Sequence, residues 1–349
     1  MENYDDMKGM HGLAIFLVVH LASVLASSSL QGTLVIANRG SGTLSVVDPI
    51  TLANITEVTL PDHGMPMYVN SVPATGEVWV GDRNNSRMVI YKIDGTELVY
   101  DGYVPVEAGV FHSITTQVPK TRNPAVWVTC DTAKVTVVID VLSRGRICTI
   151  PTPKRIRNSY GFPHDVTSNG RFGYVTYLNS SLNKGFVLAY DLQYRCHARA
   201  KYATAVDPHV GIWGRSRLVV AAQGGVVSVL QPGILTLRNR NRQPSPHGVT
   251  ITRDGKLAYV TNIMNGGMMA VVVYQLPSGR LLECPMVMTS IGGPHNVDTS
   301  LDERRLFITH SMPSVNTAFE IGDDGCVEPN SEVQFFSGSV PFGLDVILP

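Results

Sequence analysis

Pro246-His247-Gly248-Val249-Thr250-Ile251-Thr252, then Arg253-Asp254-Gly255-Lys256, then Leu257-Ala258-Tyr259-Val260-Thr261-Asn262 reads as strand, tight turn, strand. Asp254-Gly255 suits a hairpin turn because both residues tolerate the left-handed backbone that such a turn needs. The phrase recurs. Pro163-His164-Asp165-Val166 leads to Tyr174-Val175-Thr176, and Pro294-His295-Asn296-Val297 leads to Leu306-Phe307-Ile308-Thr309. Weaker copies start at Pro66-Met67, Phe111-His112, Pro208-His209 and Pro341-Phe342. The copies recur roughly every 45 residues, and each repeat has room for four short strands.

This spacing predicts an all-β chain: a seven-bladed β-propeller of four-stranded blades. The last copy holds one strand before the chain stops, whereas Thr33–Asn38, Thr43–Val47 and Ala53–Leu60 precede the first copy. The seventh blade is therefore expected to close by pairing the N-terminal strands with the C-terminal strand, which leaves no long exposed sheet edge. Residues 27–349 read as one domain. Residues 1–26 read as a secretory signal: Lys8, the apolar run Leu13–Ala26, then the small residues Ser27 and Ser28. The run is short for a membrane span. A secreted, extracellular protein with no membrane attachment after cleavage is expected.

Tyr259-Val260-Thr261-Asn262 spells the signature of the YVTN-repeat propellers, and Pro246 through Asn262 resembles that family's consensus. The resemblance covers roughly residues 33–349. It implies the fold of surface-layer repeats, lactonase-like propellers and the propeller domain of nitrous oxide reductase. It does not imply one activity, because propellers host many functions.

Charged residues are 16% of the chain, with Lys+Arg 28 against Asp+Glu 28. No basic field is present to collect nucleic acid. Arg238, Arg240 and Arg242 read as a solvated loop between blades. The sequons at Asn54, Asn84 and Asn179 fall in or beside turns or outer strands, where a glycan would project. Five cysteines fit no zinc knuckle or redox pair. Four lie on expected outer strands, so bridges between blades are open to them, in a pairing that spacing does not give.

In a propeller the first strand of each blade lines the central channel. The equivalent positions here hold Met67, His112, His164, His209, His247, His295 and Phe342. Half of the ten histidines thus fall on seven equivalent sites. Converging imidazoles can bind copper, iron, manganese or zinc. Met67, as a soft thioether, would favour copper. The nitrous oxide reductase propeller, which this ring resembles, holds a copper cluster on histidines; the present chain departs from a full ring at Met67 and Phe342. Three or four of the five on one ion would leave an open position for water or substrate. His63, four residues before Met67, is a candidate substitute ligand, and His310 a candidate supporting residue. Asp165 and Asn296 are placed to orient an imidazole. Asp62, Asp131 and Asp207 are adequately explained by turns. The competing reading has each histidine bonded to a neighbouring blade's carbonyl, sealing the channel.

Two functions follow. One is a metal-dependent enzyme, oxidoreductase or lyase, acting on a small-molecule or glycan ligand at the channel mouth. The other is a non-catalytic extracellular scaffold for proteins or glycans.

Overall fold

The computed structural model describes residues 32–116, 123–194, 196–264, 269–311 and 314–347. The secretory segment expected at residues 1–26 lies outside them. Seven antiparallel four-stranded sheets form the seven blades. The innermost strands are Pro66–Val72, Val110–Thr115, Phe162–Ser168, Pro208–Gly211, Pro246–Ile251, Pro294–Thr299 and Pro341–Ile347. Blade seven closes as expected: Pro341–Ile347 pairs with Thr33–Asn38, followed outward by Thr43–Val47 and Asn54–Thr59.

Most second and third strands are rich in Val, Ile, Leu and Ala because both of their faces are covered. Alternation sends successive side chains to opposite neighbours. Leu34 and Ile36 pack towards blade six with Phe307, while Val35 and Ala37 pack towards blade one with Val69 and Val78. Each of the other interfaces between successive blades has its own buried cluster.

The recurrent threonine of the second strand has a definite task. In blades three, five and six the Pro-His step sits at a bulge against that strand, for example between Pro246 and Val249, whereas Pro208-His209 of blade four pairs in register. A bulge leaves backbone groups without ladder partners. Thr261 Oγ1 accepts the Gly248 N–H at 2.8 Å and donates to the His295 carbonyl of the next blade at 2.9 Å. Thr129 does the same between His112 N (3.0 Å) and His164 O (2.8 Å). Thr309 reaches Asn296 N and Phe342 O. The motif thus joins the backbones of His164, His295 and Phe342 to the blade before each. Gly248 is required there, since a Cβ would fall 2.3 Å from the His295 carbonyl oxygen.

Blade five's third strand runs Val271–Gln275. Blade four's inner strand stops at Gly211, before Trp213. Arg238, Arg240 and Arg242 lie on that blade's outer strand, Thr236–Arg242, not in a loop. Alternation puts their side chains on its exposed face.

The disulfides join neighbouring blades. Cys148 of blade two bonds Cys196 of blade three, and Cys284 of blade five bonds Cys326 of blade six. Cys130 is free and buried. Among the described residues, no helix is long and apolar enough to cross a membrane.

Candidate metal centre

The five channel histidines are buried, at 3–8% exposure. Their rings form a continuous stack: His112–His164 5.1 Å, His164–His209 4.8 Å, His209–His247 3.7 Å and His247–His295 4.5 Å between centroids. Phe342 continues the stack from His295 at 4.3 Å. Tyr68 closes it, 4.0 Å from His112 and 5.4 Å from Phe342. The sequence pointed to Met67 for blade one. Its neighbour Tyr68 supplies the ring instead, while Met67 packs into an apolar group with Met65, Phe111 and Phe342. That removes the thioether argument for copper.

The ring is chemically divided. His112, His164 and His209 each bring a nitrogen within 4.8 Å of the others'. Two carboxylates stand against them. Asp165 Oδ1 is 2.8 Å from His112 Nδ1, and its Oδ2 is 3.5 Å from His209 Nδ1. The same carboxylate accepts backbone N–H groups from Val166 (2.6 Å) and Val210 (2.9 Å), which fix its plane. Both imidazoles therefore turn their Nε2 atoms away from Asp165. His164 Nε2 and His209 Nε2 face each other at 3.3 Å. Asp207 Oδ1 lies 2.8 Å from the first and 3.6 Å from the second.

Three polar atoms here are buried without a well-aligned hydrogen bond: His112 Nε2, His164 Nδ1 and Asp207 Oδ1, the last standing against two imidazole nitrogens as an ion pair. Such atoms cost free energy unless something else meets them. Three imidazole nitrogens within 4.8 Å of one another, with a carboxylate beside them, suit a cation. Electrostatics agree. Burial disfavours charge on His209, but the hydrogen bonds and charges of Asp165 and Asp207 outweigh it and push its imidazole up to about 9. Both carboxylates are held well below their usual range despite burial, by these histidines. Two anions against one triad ask for positive charge, and a proton or a divalent ion supplies it. Three imidazoles and a carboxylate are a ligand set for zinc, iron, manganese or copper(II).

His247 and His295 differ. Among the described residues, no carboxylate forms an ion pair with either ring. Burial pushes His295 down to about 3 and His247 well below its ordinary value. His295 Nδ1 sits 3.3 Å from the Phe342 carbonyl, the kind of contact that seals the channel.

The remaining candidates fall outside the centre. His63 is exposed in a short 3-10 turn, Pro61–His63, at the blade rim. His310 is fully buried, with Nδ1 3.0 Å from Gly292 O and Nε2 2.9 Å from Thr317 Oγ1, so both nitrogens are spent on the fold. Asn296 turns its Oδ1 to the Val297 N–H at 2.9 Å. Asn179 is buried, its amide bonded to Ser159, Ser181 and Leu182, which leaves no room for a glycan. Asn54 and Asn84 are exposed. Asp207, assigned by sequence to a turn, is the carboxylate the reading missed. Its φ of 53° before Pro208 does look like a turn, and only the packed blades reveal where its side chain points.

A cavity of about 930 Å³ opens along the channel from the ring. It reaches Tyr68, His112, Asp165, His209 and His247, and extends to Trp213, Arg253, Asp298 and Asp345. At the other end Phe111 and Phe342 close the channel, with Arg83 and Arg39 over their ring faces.

No protein-family profile matches the sequence, and no curated protein matches it by sequence. Solved structures do match the fold. A functionally unknown protein from Desulfotomaculum acetoxidans is 14% identical, with a TM-score of 0.70 over 91% of this chain and 99% of its own. The periplasmic gluconolactonase of Pseudomonas aeruginosa is 15% identical, with a TM-score of 0.69 over 91% and 99%. A putative 6-phosphogluconolactonase from Bacteroides fragilis is 14% identical, with a TM-score of 0.66 over 91% and 98%. At these identities the likeness is one of fold: a lactonase-like seven-bladed propeller.

Proposed function

We propose that this protein is an exported metal-dependent enzyme. His112, His164 and His209 hold one transition-metal ion, and Asp207 supplies an anionic oxygen beside His164 and His209. The observation that carries the reading is a buried triad of imidazoles whose His112 Nε2 has no hydrogen-bond partner and whose His164 and His209 Nε2 atoms stand against the Asp207 carboxylate. The bound ion would act as a Lewis acid on a substrate oxygen. The chain's own groups do the rest. Asp165 holds His112 and His209 in one tautomer and orientation, as carboxylates do behind metal-bound histidines. Phe111, Phe342 and Tyr68 exclude water from one side, and the cavity admits substrate from the other.

Export is supported by the two disulfides, which persist in oxidising compartments. The exposed Asn54 and Asn84 are the sequons that a glycan would take. The gluconolactonase among the fold neighbours makes lactone opening the first reaction to assay.

The test is elemental analysis of the purified protein beside a His112→Ala/His209→Ala variant. About one metal per chain, lost in the variant, is expected. Failure to retain any of copper, iron, manganese or zinc after reconstitution would sink the reading and leave the ring as a channel seal.

A further inference from the structure

The inner strands of blades six and seven carry an aspartate at the same place, three residues past the ring position: Asp298 after His295, and Asp345 after Phe342. Other blades have Asn70, Thr115, Thr167, Ile212 and Thr250 there. Both carboxylates line the cavity. Asp298 Oδ1 accepts Thr250 Oγ1 at 3.0 Å and the Thr299 N–H at 2.8 Å. Its Oδ2 lies 3.4 Å from the N–H of Val346, the residue after Asp345. Asp345 Oδ2 accepts the Ser71 N–H at 2.5 Å. Backbone and hydroxyl donors from blades five, six, seven and one thus pin two neighbouring carboxylates.

Like charges this close do not both ionise readily. Burial, then the charge of Asp298, pushes Asp345 up to about 7, and burial raises Asp298. Arg253 is the cation that faces the pair, and its guanidinium is tied to the Leu301 carbonyl at the rim. The other titratable groups on the cavity wall are Tyr68, His112, Asp165, His209 and His247. Near neutrality the pair therefore offers both a donor and an acceptor. His247 adds a second sign of a ligand: it is 6% exposed, lines the same cavity, and its Nδ1 has no partner.

The opposite wall is apolar. In a ring of seven blades, blade four faces blades seven and one. Blade four presents Val210, Ile212 and Trp213 to the cavity, across from Asp345 and Asn70. A tryptophan and aliphatic side chains opposite hydrogen-bonding groups match a molecule with C–H groups on its faces and hydroxyls on its edge. Two carboxylates against a single rim arginine disfavour a phosphorylated one.

We infer that Asp298 and Asp345 form the recognition subsite of this cavity, binding adjacent hydroxyls of an uncharged polyhydroxylated ring seated against Trp213. This deepens the enzymatic reading by naming the substrate class, and rests on it only in taking the cavity as the substrate site.

Calorimetry with 1,5-anhydro-D-glucitol and its 6-phosphate tests it, with metal content measured on the same samples. The neutral ring should bind, and the phosphate at least about tenfold more weakly. Binding should weaken as the pH rises through about 7, where the pair loses its proton. Asp345→Asn and Trp213→Ala should each weaken it about tenfold or more without loss of metal. Equal or tighter binding of the phosphate, unchanged binding by Asp345→Asn, or no binding of the neutral ring by the wild type would overturn the inference. Metal absent with binding intact would remove only the metal centre. Carboxyl ¹³C NMR of the wild type needs no variant: one aspartate should titrate near 7 and shift on ligand addition. Aspartates that all titrate below about 5 would overturn the pair.

Discussion

Blades two to four and blades five and six carry the same residue at the same place and use it differently. On one arc His112, His164 and His209 meet Asp165 and Asp207 at 2.8–3.6 Å. On the other, His247 and His295 stack on ring neighbours, and His295 Nδ1 faces a backbone carbonyl. The repeat fixes where an imidazole stands. The residues beside it fix what the imidazole is for. Asp165 follows its histidine where blade five has Gly248 and blade six Asn296, and Asp207 lies two residues before His209. Carboxylates raise the positive charge that His209 holds; without them, burial keeps His247 and His295 neutral.

The largest effect should separate the arcs outright. His209→Ala should abolish metal binding, and His112→Ala and His164→Ala should each lower affinity by more than about 100-fold. His247→Ala and His295→Ala should stay within about threefold of the wild type. Metal titrations of the five variants check this, and equal losses at all five positions would erase the division. Asp165→Asn should fall in between, at about 10–100-fold weaker, because the amide keeps the shape but loses the charge behind His112 and His209.

The second arc has its own signature in acid. His295 is held neutral in the fold at about 3, whereas an unfolded histidine protonates near 6.5. The unfolded chain therefore binds the extra proton below pH 6.5. The stability from this group is complete above that pH and drains away as the pH falls towards 3. By linkage, the loss between pH 6.5 and 4 is about 3 kcal/mol. His295→Phe, which copies the residue of blade seven, should flatten the acid limb of a denaturant-midpoint profile by about that amount. An unchanged slope would mean that the ring protonates freely in the fold.

Much of this was legible in the chain. The Pro-His and Tyr-Val-Thr-Asn spacing gave the seven blades, the closure through Thr33–Asn38 and the ring of five histidines, because each rests on a local pattern repeated in register. Asp165 was legible as a support because it adjoins its histidine. Asp207 was not: Val206-Asp207-Pro208 has the composition of a turn, and the direction of its side chain depends on the packing of blades three and four. Tyr68 was missed for a similar reason. Repeat alignment assigns blade one's ring position to Met67, but the bulge lets either of two adjacent residues face the channel. Asp298 and Asp345 were not legible because the repeat does not keep an acid at their position: the other blades carry Asn70, Thr115, Thr167, Ile212 and Thr250 there.

The smallest expected effect sharpens the comparison most. Thr129 and Thr261 occupy the same site in blades two and five, and each donates to the carbonyl of the next blade's histidine, His164 at 2.8 Å and His295 at 2.9 Å. Valine in place of either keeps the shape and removes the hydroxyl, so each variant should lose about 1 kcal/mol of stability. On stability alone the two are indistinguishable. Only Thr129 holds the backbone of a histidine in the carboxylate-backed triad. Thr129→Val should therefore also weaken metal binding, by about two- to fivefold, while Thr261→Val leaves it alone. Equal metal affinities in the two variants, with equal losses of stability, would mean that the triad is positioned by its carboxylates and not by the backbone clips between blades.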